Sequence, residues 1–201
     1  MKRLLGACIL ALPLLYHCAQ AQVIEFESNG LKYQTLTKSS VTVMFAHMPA
    51  HLHEYAILQV GVSNGSPGPY MIRPEDFEYI RSDGTVIRAT PTRTVIAMLF
   101  QKGSGNDVIK LVTSYEASVY GNQHFKSTNG YEARRQAALA MSATKVRAAA
   151  TASALALVQS RLSPGESTDG AVFFATEGKP LGAGHLVVRT NTDTFEFLVT
   201  E

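Results

Sequence analysis

Hydrophobic positions alternate with period two through much of the first hundred residues. Val41-Thr42-Val43-Met44-Phe45 alternates apolar with small residues, and Ala56, Leu58, Val60 and Val62 share one face of an extended run that starts at Tyr55. Gln59 and Gly61 fall on the other face. Such alternation, rich in β-branched and aromatic side chains, predicts strands. Asn29-Gly30, Asn64-Gly65 with Pro67-Gly68-Pro69, and Asp83-Gly84 punctuate the pattern with residues that tolerate positive φ. Residues 77–81 and 85–89, on either side of Asp83-Gly84, predict a hairpin. Residues 22–100 therefore read as β structure throughout.

The period then changes to that of a helix. After the loop Gly103-Ser104-Gly105, residues Val108, Leu111, Val112, Tyr115 and Val119 recur at helical spacing, which predicts a helix over 106–120 capped by Asn106 or Asp107. Gly121 and Asn122 end it. Residues 131–162 contain 11 alanines and no glycine or proline before Pro164-Gly165. Alanine is the best helix former, so the segment predicts one helix of about 45 Å, with room for a bend near Ala148 to Thr151. Strand patterns return over 171–176, 185–190 and 194–200, with Asn191-Thr192-Asp193 as a turn. The expected fold is mainly β: an antiparallel β-sandwich of the immunoglobulin-like kind. Its single domain, 22–201, carries a helical insertion over 103–162 at a surface loop.

The N-terminus changes the composition. Met1-Lys2-Arg3 is positive, residues 4–16 are uncharged and leucine-rich, and Ala19-Gln20-Ala21 places small residues as a signal peptidase requires. Residues 1–21 thus read as a cleaved signal peptide, and the short start looks bacterial. The apolar run is too short for a bilayer span and contains Pro13. Leu5-Gly6-Ala7-Cys8 has the letters of a lipobox but lies too close to Arg3 for a hydrophobic region to precede it. The chain has 18 basic and 16 acidic residues. Removal of Lys2 and Arg3 leaves 16 of each, and removal of Cys8 and Cys18 leaves no cysteine. A neutral balance disfavours phosphate-driven nucleic-acid binding, and the lack of thiols excludes cysteine catalysis and thiolate metal sites. The expected location is the periplasm or the medium, with no transmembrane segment in the mature chain.

Two segments carry a family resemblance. Val60-Gly61-Val62-Ser63-Asn64, later followed by Asp83-Gly84, and Leu162-Ser163-Pro164-Gly165-Glu166, followed by Gly170-Ala171-Val172-Phe173-Phe174, resemble secreted bacterial immunoglobulin-type domains of the telokin-like kind. The resemblance covers residues 40–100 and 162–200 and breaks off over 101–161. It implies the sandwich fold and a binding or envelope-accessory role, and it transfers no catalytic residue.

Candidate chemistry is sparse. His47, His51 and His53 lie in the segment His47-Met48-Pro49-Ala50-His51-Leu52-His53-Glu54, and imidazole with thioether suits copper while imidazole alone suits zinc. A copper- or zinc-binding periplasmic protein is the alternative function they suggest, although structural and catalytic metal sites need three or four ligands. Gly61-Val62-Ser63-Asn64-Gly65 has the letters of a nucleophile elbow, but Ser66-Pro67-Gly68-Pro69 follows, where the elbow requires a helix. Lys102-Gly103-Ser104-Gly105, read as lying between a strand and a helix, lacks both the third glycine of a dinucleotide fingerprint and the ending of a P-loop. Asn64-Gly65-Ser66 is a formal glycosylation sequon followed by an unfavourable Pro67. Nothing here assembles into a catalytic set, and no cofactor is implied. The alanine-rich segment is basic: Arg134, Arg135, Lys145, Arg147 and Arg161 stand against Glu132 alone. Arg134, Arg135, Lys145 and Arg147 are the candidate partner-binding residues, and helix 131–162 is also a candidate self-association surface. The function expected is that of an exported, non-catalytic binding or envelope-accessory protein.

Overall fold

A computed structural model describes residues 22–120 and 129–200. The signal-peptide assignment over 1–21 lies outside the described residues. The fold is mainly β, with eleven strands and four helices among the described residues. The strands are β1 (Ile24–Ser28), β2 (Leu31–Lys38), β3 (Val41–His47), β4 (Tyr55–Asn64), β5 (Tyr70–Ile72), β6 (Phe77–Arg81), β7 (Val86–Thr90), β8 (Ser160–Leu162), β9 (Ser167–Ala175), β10 (Gly184–Arg189) and β11 (Thr194–Val199). The helices are α1 (Thr92–Lys102), α2 (Gly105–Tyr120), α3 (Tyr131–Leu139) and α4 (Thr144–Leu155).

Nine strands form one antiparallel sheet in the order β1-β2-β3-β4-β9-β7-β6-β10-β11, and β5 pairs with β8 beside it. The sheet turns on itself at β7. Val86 to Arg88 pair with β6, and Ala89 and Thr90 pair with Phe174 and Phe173 of β9. The two halves then face one another. Phe45 of β3 meets Phe197 of β11 edge-on at 5.0 Å. Gln34 Nε2 donates to the Leu198 carbonyl at 2.8 Å and Lys38 Nζ to that of Thr194 at 2.6 Å, so β11 lies over β2. The enclosed core takes one face of β3, β4, β6, β9, β10 and β11: Val43 and Phe45, the set Ala56, Leu58, Val60 and Val62, then Phe77, Tyr79, Val172, Phe174, Leu186, Val188, Phe195 and Phe197. The period-two reading of β3, β4 and the 77–81/85–89 hairpin therefore matches the strands observed. What forms is a single curled sheet.

The two motif segments meet at one end of the sheet. Asn64 is fully buried; its Nδ2 donates to the carbonyls of Gly68 (2.8 Å) and Leu162 (3.0 Å), and its Oδ1 accepts from Ser66 N and Oγ. Its backbone bonds Gly165 and Glu166. The Asn64 amide is thus consumed as a corner tie, which leaves the sequon no acceptor nitrogen. Ser63 Oγ is hydrogen-bonded to Ser167 Oγ at 3.0 Å across the β4–β9 pair.

The helices differ from expectation in three ways. First, residues 92–102 are helix α1, not strand. Val95, Met98 and Leu99 are buried at i, i+3 and i+4, and burial of that stripe overrides the β preference of Thr92, Thr94, Val95 and Ile96. Second, 131–162 is not one helix, and the break falls at 140–143 instead of 148–151. Arg147 seals it, donating from Nε to the Met141 carbonyl (2.8 Å) and from Nη2 to that of Ser142 (3.2 Å). Third, α4 ends at Leu155 because the chain joins the sheet. Leu157 N donates to the Ala171 carbonyl at 2.9 Å, and Ala156 bridges Ala171. Gly170 permits this approach, since a Cβ there would lie 2.3 Å from Leu157 N and Cα. The helical insertion accordingly runs over 92–155, and 160–162 is strand β8.

The helices cover the outer face of β4 and β9. Tyr55, Ile57, Ala171 and Phe173 point outward into a second core with Val95, Leu99, Leu111, Tyr115, Ala148, Ala152 and Leu155. Small residues at Ala148, Ala149 and Ala152 let α4 lie close, and α1, α2 and α3 all pack against it. Gly103 ends α1 against α4: a Cβ there would sit 2.9 Å from Ala148 Cβ and 2.4 Å from the Leu99 carbonyl.

Candidate functional site

The sheet's outer face holds one buried polar cluster. Asp169 of β9 is 4% exposed and Gln59, on neighbouring β4, 6%. Tyr115 of α2 donates its hydroxyl to Asp169 Oδ2 at 2.5 Å, and Gln59 Nε2 donates to the same oxygen at 2.9 Å. Asn129, just before α3, donates from Nδ2 to Asp169 Oδ1 (2.7 Å) and to its backbone carbonyl (2.8 Å). A buried carboxylate is tolerable only when hydrogen-bonded, and here three donors from three elements converge on it. Burial first, and then the Asp169 carboxylate, push the Tyr115 phenol up, so it stays a donor. A cleft of about 230 Å3 lies alongside, lined by Asn129, Val158, Ser160, Arg161, Leu162, Ser167 and Thr168. The cluster ties α2 and the start of α3 to the sheet. Tyr33 adds a second tie, donating from its hydroxyl to the Ser118 carbonyl at 2.9 Å.

The three histidines occupy separate settings. His47 ends β3 on the inner face, edge-on to Phe45 and to Tyr79 with centroids 5.8 and 6.2 Å apart. Its Nε2 is buried with no hydrogen-bond partner, and burial lowers its pKa to about 4. His51 Nδ1 is also buried without a partner. His53 takes a positive φ of 53° and its Nε2 lies 3.1 Å from Asp107 Oδ2. Among the described residues, no group of three or more His, Cys, Asp or Glu side chains is placed to hold a metal ion.

Asp107 belongs to a capping box. Its Oδ2 accepts from Ser104 N and Oγ at 2.8 Å, and its N donates to Ser104 Oγ at 3.3 Å. Ser104, not Asn106 or Asp107, is thus the residue whose side chain caps α2. Burial works to raise the Asp107 pKa, but the bonds from Ser104 and His53 prevail and hold it below the usual carboxylate range. The Lys102–Gly105 loop therefore joins two helices, with the Ser104 amide taken by this box and that of Gly103 by the Leu99 carbonyl.

Arg134, Arg135 and Arg147 turn inward. Arg134 donates from Nε and Nη2 to the Ala154 carbonyl (3.1 and 3.0 Å) and from Nη1 to that of Asn129. Arg135 pairs with Glu116 of α2 and, at 3.7 Å, with Glu132. Arg147 closes the α3–α4 turn, as described. Lys145 alone of the four is exposed. The basic side chains of the alanine-rich segment thus serve mostly to fasten helix ends.

One end of the helical layer has a different character. Two points fix α1 antiparallel to α4. At one end, Thr90, just before α1, and Ala156, just after α4, both reach β9; at the other, Gly103 meets Ala148. The last turn of α1, the first turn of α2 and the first turn of α4 therefore converge. Eight large hydrophobic side chains are exposed among the described residues, and four of them lie at this end: Phe100 (51%), Ile109 (63%), Met141 (41%) and Val146 (36%). Lys102, Lys110 and Lys145 are exposed beside them and form no ion pair among the described residues. The periodic pattern hid this surface, because its members come from three helices and the α3–α4 turn, and one of those helices read as strand.

No helix among the described residues is long and apolar enough to cross a membrane. No family model, no curated protein and no solved structure matches the chain.

Proposed function

We propose that the protein is an exported, non-catalytic binding or envelope-accessory module whose contact surface is the α1/α2/α4 end of its helical layer. The observation that carries this reading is the concentration there of half the large hydrophobic side chains exposed among the described residues, together with three exposed lysines that form no ion pair among those residues. Water-exposed apolar clusters rimmed by charge mark interaction sites. The polar clusters elsewhere are engaged in holding the fold: Asp169 in docking helices, Asp107 in capping α2, Asn64 in tying a corner. Kinship with telokin-like immunoglobulin domains is part of the proposal, supported by the hydrogen bonds that join its two motif segments at Asn64 and Leu162–Glu166. The N-terminal pattern of charge, leucine run and Ala19-Gln20-Ala21 supports export from a bacterial cell.

Fractionation of a bacterial host producing the tagged chain tests this. The expected result is an exported product cleaved after Ala21 that sediments with the envelope, and Phe100→Ser/Ile109→Ser protein that moves to the soluble fraction. Soluble behaviour identical for both proteins contradicts the proposal.

A further inference from the structure

We infer that the partner of this surface is an anionic phospholipid bilayer, onto which the α1/α2/α4 end docks peripherally. The inference rests on the binding reading above and names its partner. Over 92–110 and 141–147 the chain carries Arg93, Lys102, Lys110, Lys145 and Arg147 against one carboxylate, Asp107. Asp107 is buried and committed to Ser104 and His53, and Arg147 is committed to carbonyls. Arg93 sits at the far end of α1. The charges that these helix ends present to solvent are therefore Lys102, Lys110 and Lys145, with Glu54 on the adjoining β3–β4 loop that reaches Asp107 through His53.

The type of side chain selects the partner. Protein interfaces are depleted in lysine and favour arginine. A bilayer surface favours bulky apolar side chains that enter the acyl boundary, with lysines above them whose stems lie along the apolar zone and whose ammonium groups meet lipid phosphates. Phe100 and Ile109 are the wedge and the three lysines the rim. The alanine-rich helix α4 alone lacks the bulk for this, since most of its alanines are small side chains buried against its neighbours. The fold supplies that bulk from α1 and α2. Each lysine near an anionic leaflet strengthens binding several-fold, and the gain fades with salt.

The test is vesicle co-sedimentation with protein recovered after export, its N-terminus read by mass spectrometry. Vesicles are phosphatidylglycerol with phosphatidylethanolamine, or phosphatidylcholine alone. The expected result is binding to the anionic vesicles only, weakened by raised salt. Lys102→Glu/Lys110→Glu/Lys145→Glu and Phe100→Ser/Ile109→Ser should each lose at least tenfold in affinity with unchanged thermal unfolding. Val86→Ser, which removes an exposed apolar side chain on the sheet, should bind as wild type. Absence of binding to anionic vesicles, or binding that survives charge reversal, overturns the inference. Envelope association in cells without vesicle binding would reject the lipid and leave the binding reading standing. A reversible dimer lost in Phe100→Ser/Ile109→Ser, with no vesicle binding, would replace the bilayer by a second copy. Soluble protein that binds no vesicle would defeat both.

Discussion

The two faces of β4 and β9 are both buried, yet they are built differently. The inner face is apolar over most of its length: Ala56, Leu58, Val60 and Val62 meet Val172 and Phe174 and the far half of the sheet, with Asn64 and Thr168 buried at one end. The outer face mixes apolar and small residues with Gln59 and Asp169, and it is covered by helices. An apolar face stabilises without choosing one arrangement, since hydrophobic contacts are non-directional. The outer face adds directional bonds that only one placement of α2 and Asn129 satisfies, and buried polar groups make every other placement costly. The inner face makes the sheet; the outer face decides where the helices sit, and with them the exposed end of the layer.

Substitutions on the two faces should therefore differ in reach as well as size. The largest effect is expected for Gly170→Ala. Its Cβ would meet the Leu157 backbone at 2.3 Å, where no flexible side chain can yield. A loss on the order of 4 kcal/mol is expected in denaturant unfolding, with exposure of the helical layer. Leu58→Ala, on the inner face, should cost about 3 kcal/mol and weaken the whole molecule in a single transition. Asp169→Ala should cost about 2 to 3 kcal/mol, because it strands the donors of Tyr115, Gln59 and Asn129 in a dry interface.

Acid should act next, through the inner face. His47 is held neutral, with its pKa lowered to about 4, whereas in the unfolded chain it titrates at its ordinary 6.5. Between those values the unfolded chain binds the proton and the folded chain does not, so stability falls as pH drops from about 6.5 towards 4. His47→Leu should remove most of that loss, read as a flatter dependence of unfolding free energy on pH. The smallest effect belongs to the exposed end. Phe100→Ser should change stability by less than about 0.5 kcal/mol, while altering envelope association.

The sequence displayed the inner face far better than the outer one. Alternation exposes Leu58, Val60 and Phe197 directly, because the pleat maps neighbouring residues onto one core. The Asp169 cluster has no local signature: its partners lie 54, 110 and 40 residues away. The one available hint was an ionisable residue just before the apolar run of β9, diagonal to Gln59 across the β4–β9 pair. Helix α1 was obscured by its β-branched start. The α3–α4 break was obscured by unbroken alanine, since what ends each helix is tertiary: Arg147 on two carbonyls, and Leu157 on the sheet. The arginines read as a partner surface because composition reports charge but not the carbonyls and carboxylates that receive it. The exposed end at Phe100, Ile109 and Val146 required three helices to be placed before it could be seen.

Native-state hydrogen exchange on Asp169→Ala tests most directly whether the outer face positions the helices. Amides of α2, α3 and α4 should lose protection by a factor of about 30 to 150, the equivalent of 2 to 3 kcal/mol, while those of β3, β6 and β10 keep theirs. Equal loss in helices and sheet, or no loss in the helices, would contradict the account.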